Sequence, residues 1–283
     1  MATIRTARNL YRLKSALLAT SCLVPVLFAA GIARAGPSGP TVVAGQVTVS
    51  TPNAQTTVVQ QGSQKGIVNW SSLSLGAQES LTFVQPGASS ITLNRVTGPN
   101  ASALNGRLSA NGQVWIVNSN GVLFGPNAQV NVGGLLATTS DIQNQNFLAG
   151  NYSFNTPSGN PNAAIVNQGN IQALPGGSVV LAGAQVNNQG VINAQLGSVV
   201  LAGAKTFTVD FAGDKLLSFA IDTPVDQLPL DANGNPVGSL VANSGTLSTA
   251  GGQVTMTARA ANNILDHLIN SSGIIEATGV STS

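Results

Sequence analysis

The sequence predicts an all-β protein whose chain winds into a parallel β-helix, a solenoid built from short strands. Three observations favour this fold: a repeat of 20 or 21 residues, strand-like segments separated by Gly and Asn, and a scarcity of charge. Charged residues make up only 7% of the 283 residues, whereas hydrophobic residues make up 43%. A hydrophobic content this high argues against a disordered Gly/Asn-rich chain.

The first 35 residues predict a secretory signal peptide. Four basic residues precede the apolar run 16–32, and Ala33-Arg34-Ala35 has the small-x-small pattern of a signal-peptidase site. We expect cleavage between Ala35 and Gly36. The alternative is a transmembrane anchor, but Pro25 and the cleavage pattern argue against a membrane span.

Removing this leader changes what the charge of the chain implies. The whole chain has a formal net charge of +2, but five of its 11 basic residues and none of its acidic residues lie in the leader. The remaining six basic and nine acidic residues give a net charge of −3, so we expect no nucleic-acid partner. Cys22, the only cysteine, also lies in the leader, so the mature chain must fold without disulfide bonds, on a large core.

Short strands follow one another along the mature chain. Val42–Val49 and Thr57–Val59 predict the first strands, and we expect a cap here because an open coil would present unpaired strand edges. Within the nearly uncharged segment 111–141, three further strands alternate with corners rich in Gly and Asn. These strands are Val114–Val117, Val122–Phe124 and Val130–Val132.

An internal repeat indicates the architecture. Residues 178–184 and 198–204 both read SVVLAGA, 20 residues apart, and Asn167-Gln168-Gly169 recurs at 188–190, 21 residues later. The units are too short and too rich in Val, Ile and Thr for helical repeats, and a leucine-rich pattern is absent. Stacked coils place equivalent residues about 4.8 Å apart, where like charges repel and neutral Asn, Ser and Thr can form hydrogen-bonded ladders.

Several blocks interrupt the repeat. The blocks 81–107 and 144–163 predict hairpins or extrusions from the coil. The block 205–236 contains five of the nine acidic residues and predicts a loop or an extra-helical hairpin. Beyond it, 237–283 predicts further coils, so we expect 36–283 to be one β-helix domain.

A series of motifs gives the sequence a family resemblance. The motifs are, in order, IVNW (67–70), LNRVTG (93–98), LNGRLSANGQVWIVNSNGVLFG (104–125), ATTSDI (137–142) and IVNQGNI (165–171). This series resembles the N-terminal secretion domain (TPS domain) of two-partner-secretion exoproteins, which include the filamentous haemagglutinins and high-molecular-weight adhesins of Gram-negative bacteria. The resemblance implies a right-handed parallel β-helix.

The same resemblance implies a function and partners. Such domains pass through the periplasm and are recognised, unfolded or partly folded, by the periplasmic domains of an outer-membrane transporter. They then fold at the cell surface or outside the cell. Host-cell or surface glycans are further candidate partners, and we expect neither a cofactor nor stable membrane insertion. The alternative function is that of a self-standing surface adhesin or carbohydrate-binding solenoid.

One turn is the candidate recognition element. The family often has Asn-Pro-Asn-Gly where this chain has Asn118-Ser119-Asn120-Gly121. Pro would fix φ at the second position, whereas Ser119 allows the turn without enforcing it. Asn120 and Gly121 are residue types that tolerate positive φ. We expect the turn to shape a corner of the coil, to contact the transporter, or to do both.

An enzyme is the main alternative from another class, since pectate-lyase-like proteins, which cleave polysaccharides, are also β-helices. Catalysis would need clustered carboxylates, whereas the carboxylates of this chain are scattered. Asp210 could meet Asp214-Lys215, although a solvated loop is the simpler explanation. His267 is the only histidine, and Asp231–Asn235 resembles a calcium loop without its closing Glu. We therefore expect no enzymatic activity and no metal site.

Two tryptophans could serve as platforms for stacking sugars. Trp70 and Trp115 each lie in an apolar, strand-like run. We therefore interpret both as core residues.

Overall fold

The computed structural model describes residues 36–211, 217–231, 233–261 and 264–278. The predicted signal peptide with its cleavage residue Ala35, and the pair Asp214-Lys215, lie outside the described residues. None of the helices in the described ranges combines the length and the apolar character needed to cross a membrane.

The described chain is built mainly from short strands. Their bounds, in chain order, are β1 Thr41–Ala44, β2 Val47–Asn53, β3 Thr56–Gln61, β4 Lys65–Trp70, β5 Ser80–Val84, β6 Ile91–Val96, β7 Ser102–Leu104, β8 Arg107–Ala110, β9 Gln113–Val117, β10 Val122–Phe124, β11 Gln129–Val132, β12 Gly134–Thr138, β13 Ser153–Phe154, β14 Ala164–Asn167, β15 Asn170–Ala173, β16 Ser178–Gly183, β17 Gln185–Asn188, β18 Val191–Ala194, β19 Ser198–Gly203, β20 Thr206–Phe211, β21 Leu217–Thr223, β22 Val241–Asn243, β23 Thr246–Ser248, β24 Gln253–Ala258, β25 Ile269–Ser271 and β26 Ile274–Glu276. A short helix, α1, spans Asn144–Ala149 between β12 and β13.

The strands stack into three sheets that form the three faces of a β-helix. Face 1 has the order β1-β4-β6-β9-β12-β16-β19-β24, and face 2 has the order β7-β10-β14-β17-β22-β25. Face 3 has the order β2-β3-β5-β8-β11-β15-β18-β23-β26. A coil visits face 3, face 1 and face 2 in turn, as β15, β16 and β17 do. The predicted fold class, an all-β parallel β-helix, is confirmed.

The sequence repeat determines the register of the coils. Ser178–Gly183 of β16 pairs in parallel, residue for residue, with Ser198–Gly203 of β19. On face 2, Asn167 pairs with Asn188 in the next coil. Because equivalent residues stack on one another, the inward Val, Leu and Ile side chains of successive coils form one continuous core.

The first coil has the predicted cap. β1 pairs antiparallel with β4 and β2 pairs antiparallel with β3, whereas the other neighbours on the three faces are parallel. This reversal lets the entering strands cover the first coil, and Val47 and Val49 pack against the core. In the last described coil, Ile269 and Ile275 stack on buried residues of the previous coil but are 40% and 45% exposed.

The interior also contains a ladder of amide side chains. Asn167, Asn188 and Asn243 are buried and stack in successive coils of face 2. Asn167 Nδ2 donates to Asn188 Oδ1, and Asn188 Nδ2 donates to Asn243 Oδ1, both at 2.8 Å. Each amide offers both a donor and an acceptor, so the ladder satisfies these buried groups without any charge.

Two long insertions leave the coil between face 1 and face 2. The insertion 139–163 contains α1 and β13, and the insertion 204–240 contains the antiparallel hairpin β20–β21, which lies within the block 205–236. β13 pairs antiparallel with β20, giving a three-stranded sheet outside the coil. These two insertions form an extra-helical layer whose apolar residues pack on the outer side of face 1. The central strands of face 1, β9, β12, β16 and β19, are therefore buried on both sides.

The prediction that 81–107 is an extrusion is wrong. β5, β6 and β7 lie there as coil strands paired in parallel with their neighbours. The repeat is hidden because polar residues, among them Gln85, Thr92 and Asn94, occupy buried positions. Gln85 Nε2 donates to Thr92 Oγ1 at 3.0 Å, and Asn94 Nδ2 donates to the carbonyl of Trp115 at 3.2 Å. These hydrogen bonds let polar residues occupy a coil without disrupting it.

Candidate functional site

The central turn, Asn118–Gly121, connects β9 to β10 and is held by a buried amide. Asn118 Nδ2 donates to the carbonyl of Asn100 and to Ser102 Oγ, both at 3.0 Å. Its Oδ1 accepts the N–H of Asn120 at 2.9 Å. The N–H of Gly121 donates to the carbonyl of Asn118 at 3.0 Å, which closes a β-turn.

The last position of the central turn requires glycine. Gly121 has φ +108°, and a Cβ there would lie 2.8 Å from the carbonyl oxygen of Ala164. Asn120 does not have positive φ. Among the described non-glycine residues, Leu196 alone has positive φ. Ser119, the residue that replaces the family's Pro, is exposed. Of the two residues that tolerate positive φ, Gly121 is therefore the one that adopts it.

A second cluster, on the outer side of face 1, was missed by sequence reasoning. Arg95 Nε on β6 donates to both carboxylate oxygens of Asp141, at 2.8 and 2.9 Å. Its Nη1 donates to Asn144 Oδ1 at 2.8 Å, and its Nη2 donates to the carbonyl of Ile142 at 2.7 Å. One guanidinium thus fixes the start of the insertion 139–163 to face 1.

Lys65, on β4, holds the same insertion at helix α1. Its ammonium donates to the carbonyls of Phe147 and Leu148, both at 3.0 Å. It also lies 5.7 Å from the ring centroid of Phe147 and 5.1 Å from that of Tyr152. The last carbonyls of a helix lack intrahelical partners, so a cation there is favourable. Burial lowers the pKa of Lys65 and raises the pKa of Tyr152.

An aromatic cluster forms the centre of the extra-helical layer. It joins residues of β9, the insertion 139–163 and the hairpin: Trp115, Phe147, Tyr152, Phe154, Phe207, Phe211 and Phe219. The ring centroids of Trp115 and Tyr152 are 4.7 Å apart, as are those of Phe154 and Phe207. Trp70 is also buried, and its Nε1 donates to Asn94 Oδ1 at 3.0 Å. The interpretation of both tryptophans as core residues is confirmed.

The candidate catalytic and metal-binding residues that the structure describes do not form a metal cluster. Within the described ranges, no three His, Cys, Asp or Glu side chains are placed to share a metal ion. Asp231 Oδ1 accepts the N–H groups of Asn235 at 2.8 Å and Asn233 at 2.9 Å, and these hydrogen bonds lower the pKa of Asp231. Its carboxylate therefore closes a polar turn. Asp210 on β20 and His267 after β24 are exposed.

These features define a capped β-helical domain whose distinctive elements are a central turn and a layer locked onto one face. The chain belongs to the family of TPS secretion domains, whose family model matches residues 33–283. The resemblance carried by the sequence motifs is confirmed, and the chain is a secretion domain of the two-partner type.

Proteins from Haemophilus influenzae are similar to this chain. A heme/hemopexin-binding protein of strain Rd is 36% identical over 256 residues, covering 88% of this chain and 26% of that protein. A second heme/hemopexin-binding protein is 30% identical over 252 residues, covering 84% of this chain and 26% of that protein. The chain thus spans 26% of the length of each of these relatives.

A solved structure agrees with the fold. The crystal structure of the HMW1 secretion domain from Haemophilus influenzae matches with a TM-score of 0.71 and 30% sequence identity, covering 87% of this chain and 60% of that chain. Domains of this family interact with an outer-membrane transporter. The exoproteins that contain them are secreted across the outer membrane of Gram-negative bacteria.

Proposed function

We propose that this chain is the part of an exported protein that the periplasmic domains of an outer-membrane transporter recognise, and that it folds into its β-helix outside the cell. The match of the secretion-domain family over residues 33–283 carries the proposal. We assign the domain no catalytic role. It acts by being recognised before it folds and by folding after it has crossed the membrane.

The central turn supports recognition before folding. In the folded domain Asn118 is fully buried, and its side-chain amide makes three hydrogen bonds. A partner can therefore contact this side chain only while the coil is open. Closing the coil withdraws Asn118 into the core and leaves Ser119 as the exposed residue of the turn. Folding and release from the transporter are coupled in this scheme.

Such coupling gives export a direction without a nucleotide as energy source. Each coil that closes buries the inward side chains of its strands. Burial of apolar surface contributes about 25 cal/mol per Å². A closed coil is also wider than an extended chain, so folding on the outer side opposes return through the transporter.

The test is secretion of the full chain by a Gram-negative host, with and without the cognate two-partner transporter. We expect the protein in the medium only when the transporter is present, and we expect its N-terminal sequence to begin at Gly36. Equal amounts in the medium without the transporter would overturn the proposal. An N-terminus elsewhere would overturn the predicted cleavage site alone.

A pair of variants separates recognition from stability. Asn118→Ala and Asn188→Ala each remove a buried, hydrogen-bonded amide from the coil. If the transporter reads Asn118, Asn118→Ala is secreted less than Asn188→Ala when both are equally destabilised, and it crosslinks less to the periplasmic domains. Equal secretion and crosslinking of the two variants would show that the transporter does not read Asn118 and that this residue only shapes the turn.

A further inference from the structure

A groove runs over the outer side of face 2. Its floor is formed by β10, β14 and β17, with Leu123 and Val166 half-buried along it. Its walls come from three separate parts of the chain: the central turn, the insertion 139–163 and the loop that follows the hairpin β20–β21. The cavity has a volume of about 510 Å³, which lies within the range of small-molecule sites.

The far wall of this groove is fixed by hydrogen bonds. The N–H of Leu230 donates to Asn162 Oδ1 at 2.9 Å, which ties the loop to the insertion 139–163. Leu230 also forms a β-bridge with Pro236, and the N–H of Asp231 donates to the carbonyl of Asn235 at 2.8 Å. The wall is therefore a closed turn held against a second element.

Amide side chains dominate the polar lining of the groove. They are Asn120, Asn162, Gln185, Asn187, Gln189 and Asn233. The side-chain amides of Asn120, Asn162 and Gln189 form hydrogen bonds within the protein. In the described part of the chain, the other three side chains have no protein hydrogen-bond partner. Their donors and acceptors are therefore free to bind a ligand.

The groove is nearly neutral. Among the described lining residues Asp231 is the one charged group, and its carboxylate already accepts the N–H groups of Asn235 and Asn233. With no Lys or Arg in that lining, the groove is poorly suited to phosphate, sulfate or carboxylate groups. Amides both donate and accept, as sugar hydroxyl groups do, and the apolar floor suits the C–H faces of sugar rings.

A peptide fits this groove less well. β10, β14 and β17 are each paired on both sides within face 2. The floor therefore has no free strand edge to which an extended peptide could add by main-chain hydrogen bonds. Recognition must come from side chains, and the side chains present suit hydroxyl groups.

We propose that this groove binds a short neutral oligosaccharide. Such binding is separate from recognition by the transporter. The groove exists only after the coils and both insertions have folded, whereas the proposed recognition precedes folding. It would give the exported domain a binding activity of its own, separate from any activity of the protein that carries it.

The test uses the folded, secreted protein in solution. The probes are three neutral trisaccharides, maltotriose, cellotriose and tri-N-acetylchitotriose, with sialyllactose and a short Gln-rich peptide as comparators. Chemical-shift changes in the Asn and Gln side-chain amides, followed by calorimetry, report binding. The test variant is Asn187→Ala on face 2. The matched control is Asn193→Ala on face 3, which is also half-buried.

We expect at least one neutral trisaccharide to bind, and Asn187→Ala to weaken its binding about fivefold, the loss expected for one or two hydrogen bonds. Asn193→Ala should leave it unchanged. Binding of none of the neutral sugars, binding of sialyllactose alone, or equal effects of the two variants would overturn the proposal. Peptide binding that Asn187→Ala abolishes would overturn it in favour of a peptide groove. Each readout is made on protein already exported, so failed secretion cannot be mistaken for failed binding.

Discussion

Arg95 contacts both carboxylate oxygens of Asp141, although 46 residues separate the two in the chain. The Arg95 side chain is only 14% exposed and that of Asp141 is 34% exposed. The two residues belong to the motifs LNRVTG and ATTSDI, which contribute to the family resemblance. The ion pair gives these motifs a shared structural role, which is to attach the extra-helical layer to face 1.

Breaking this ion pair should destabilise the domain. We expect Asp141→Asn to lower the free energy of unfolding by about 2–3 kcal/mol, because it leaves a largely buried guanidinium without its counter-charge. Arg95→Lys should cost about 1–2 kcal/mol, since an ammonium cannot contact Asp141, Asn144 and the carbonyl of Ile142 together. Urea unfolding followed by circular dichroism measures both losses.

The Lys205–Asp226 pair provides the matched control. Its atoms are also close, at 3.0 Å, but the two side chains are 31% and 51% exposed. Asp226→Asn should therefore cost less than about 1 kcal/mol. Equal losses for Asp141→Asn and Asp226→Asn would contradict a locking role for the Arg95 pair.

The coils could be predicted from the sequence because their rules are local. Each corner needs Gly or Asn and each strand needs apolar residues that face the core. Because 178–184 and 198–204 have the same sequence, they show their register without any structure. The same rule fails for 81–107, where buried Gln85 and Thr92 resemble solvent-facing residues. Their burial depends on partners that the sequence alone does not identify.

The layer over face 1 could not be predicted in this way, because its contacts join residues far apart in the chain. Lys65 and Phe147 are separated by 82 positions, and neither has a local pattern that identifies the other. One signal was present. Val114–Val117 is a continuous apolar run rather than an alternating one, and such a run is typical of a strand buried on both faces.

Ser119→Pro should stabilise the domain by about 0.4–1 kcal/mol, because Pro restricts the unfolded chain at a turn position that favours it. The main-chain carbonyl at position 119, which accepts a hydrogen bond from Ser158 Oγ at 2.6 Å, is still present in the Pro variant. The matched control is Asn120→Pro, which removes the N–H that donates to Asn118 Oδ1. Asn120→Pro should be destabilised and secreted more slowly. Thermal unfolding that ranks Asn120→Pro at or above Ser119→Pro would contradict this account of the turn.

Asn188→Ala should lower the free energy of unfolding by about 3 kcal/mol. The substitution leaves Asn167 without an acceptor and Asn243 without a donor in a dry interior, and each unsatisfied group costs about 1–3 kcal/mol. The control is Asn187→Ala, one residue earlier, where the side chain faces outward. This substitution should change the free energy of unfolding by less than about 0.5 kcal/mol. Urea midpoints decide between them, and similar losses at the two positions would show that the ladder adds no stability of its own.

Tyr152→Phe should affect stability mainly at alkaline pH. Burial raises the pKa of Tyr152 above the ordinary value of 10.0, because a phenolate is poorly solvated beside Trp115 and Phe211. As pH rises through 10.0, the unfolded chain loses the phenolic proton before the folded chain does. Ionisation therefore favours unfolding, and the wild-type protein becomes less stable.

The comparison of the two proteins isolates this effect. Lys65 lies against the same ring, and burial shifts its pKa in the opposite direction, downward. Lys65 is present in both proteins, as are the neighbouring aromatic groups, so it does not contribute to the difference between them. We expect urea midpoints to be similar at about pH 7 and to diverge between about pH 9 and about pH 11, with Tyr152→Phe the more stable at the alkaline end. Tyr152 is the only tyrosine after the predicted leader, so phenolate absorbance of the cleaved protein reports its ionisation directly. Phenolate formation in the folded protein at or below pH 10.0, or parallel stability profiles for the two proteins, would show that the ring is not shielded by the extra-helical layer.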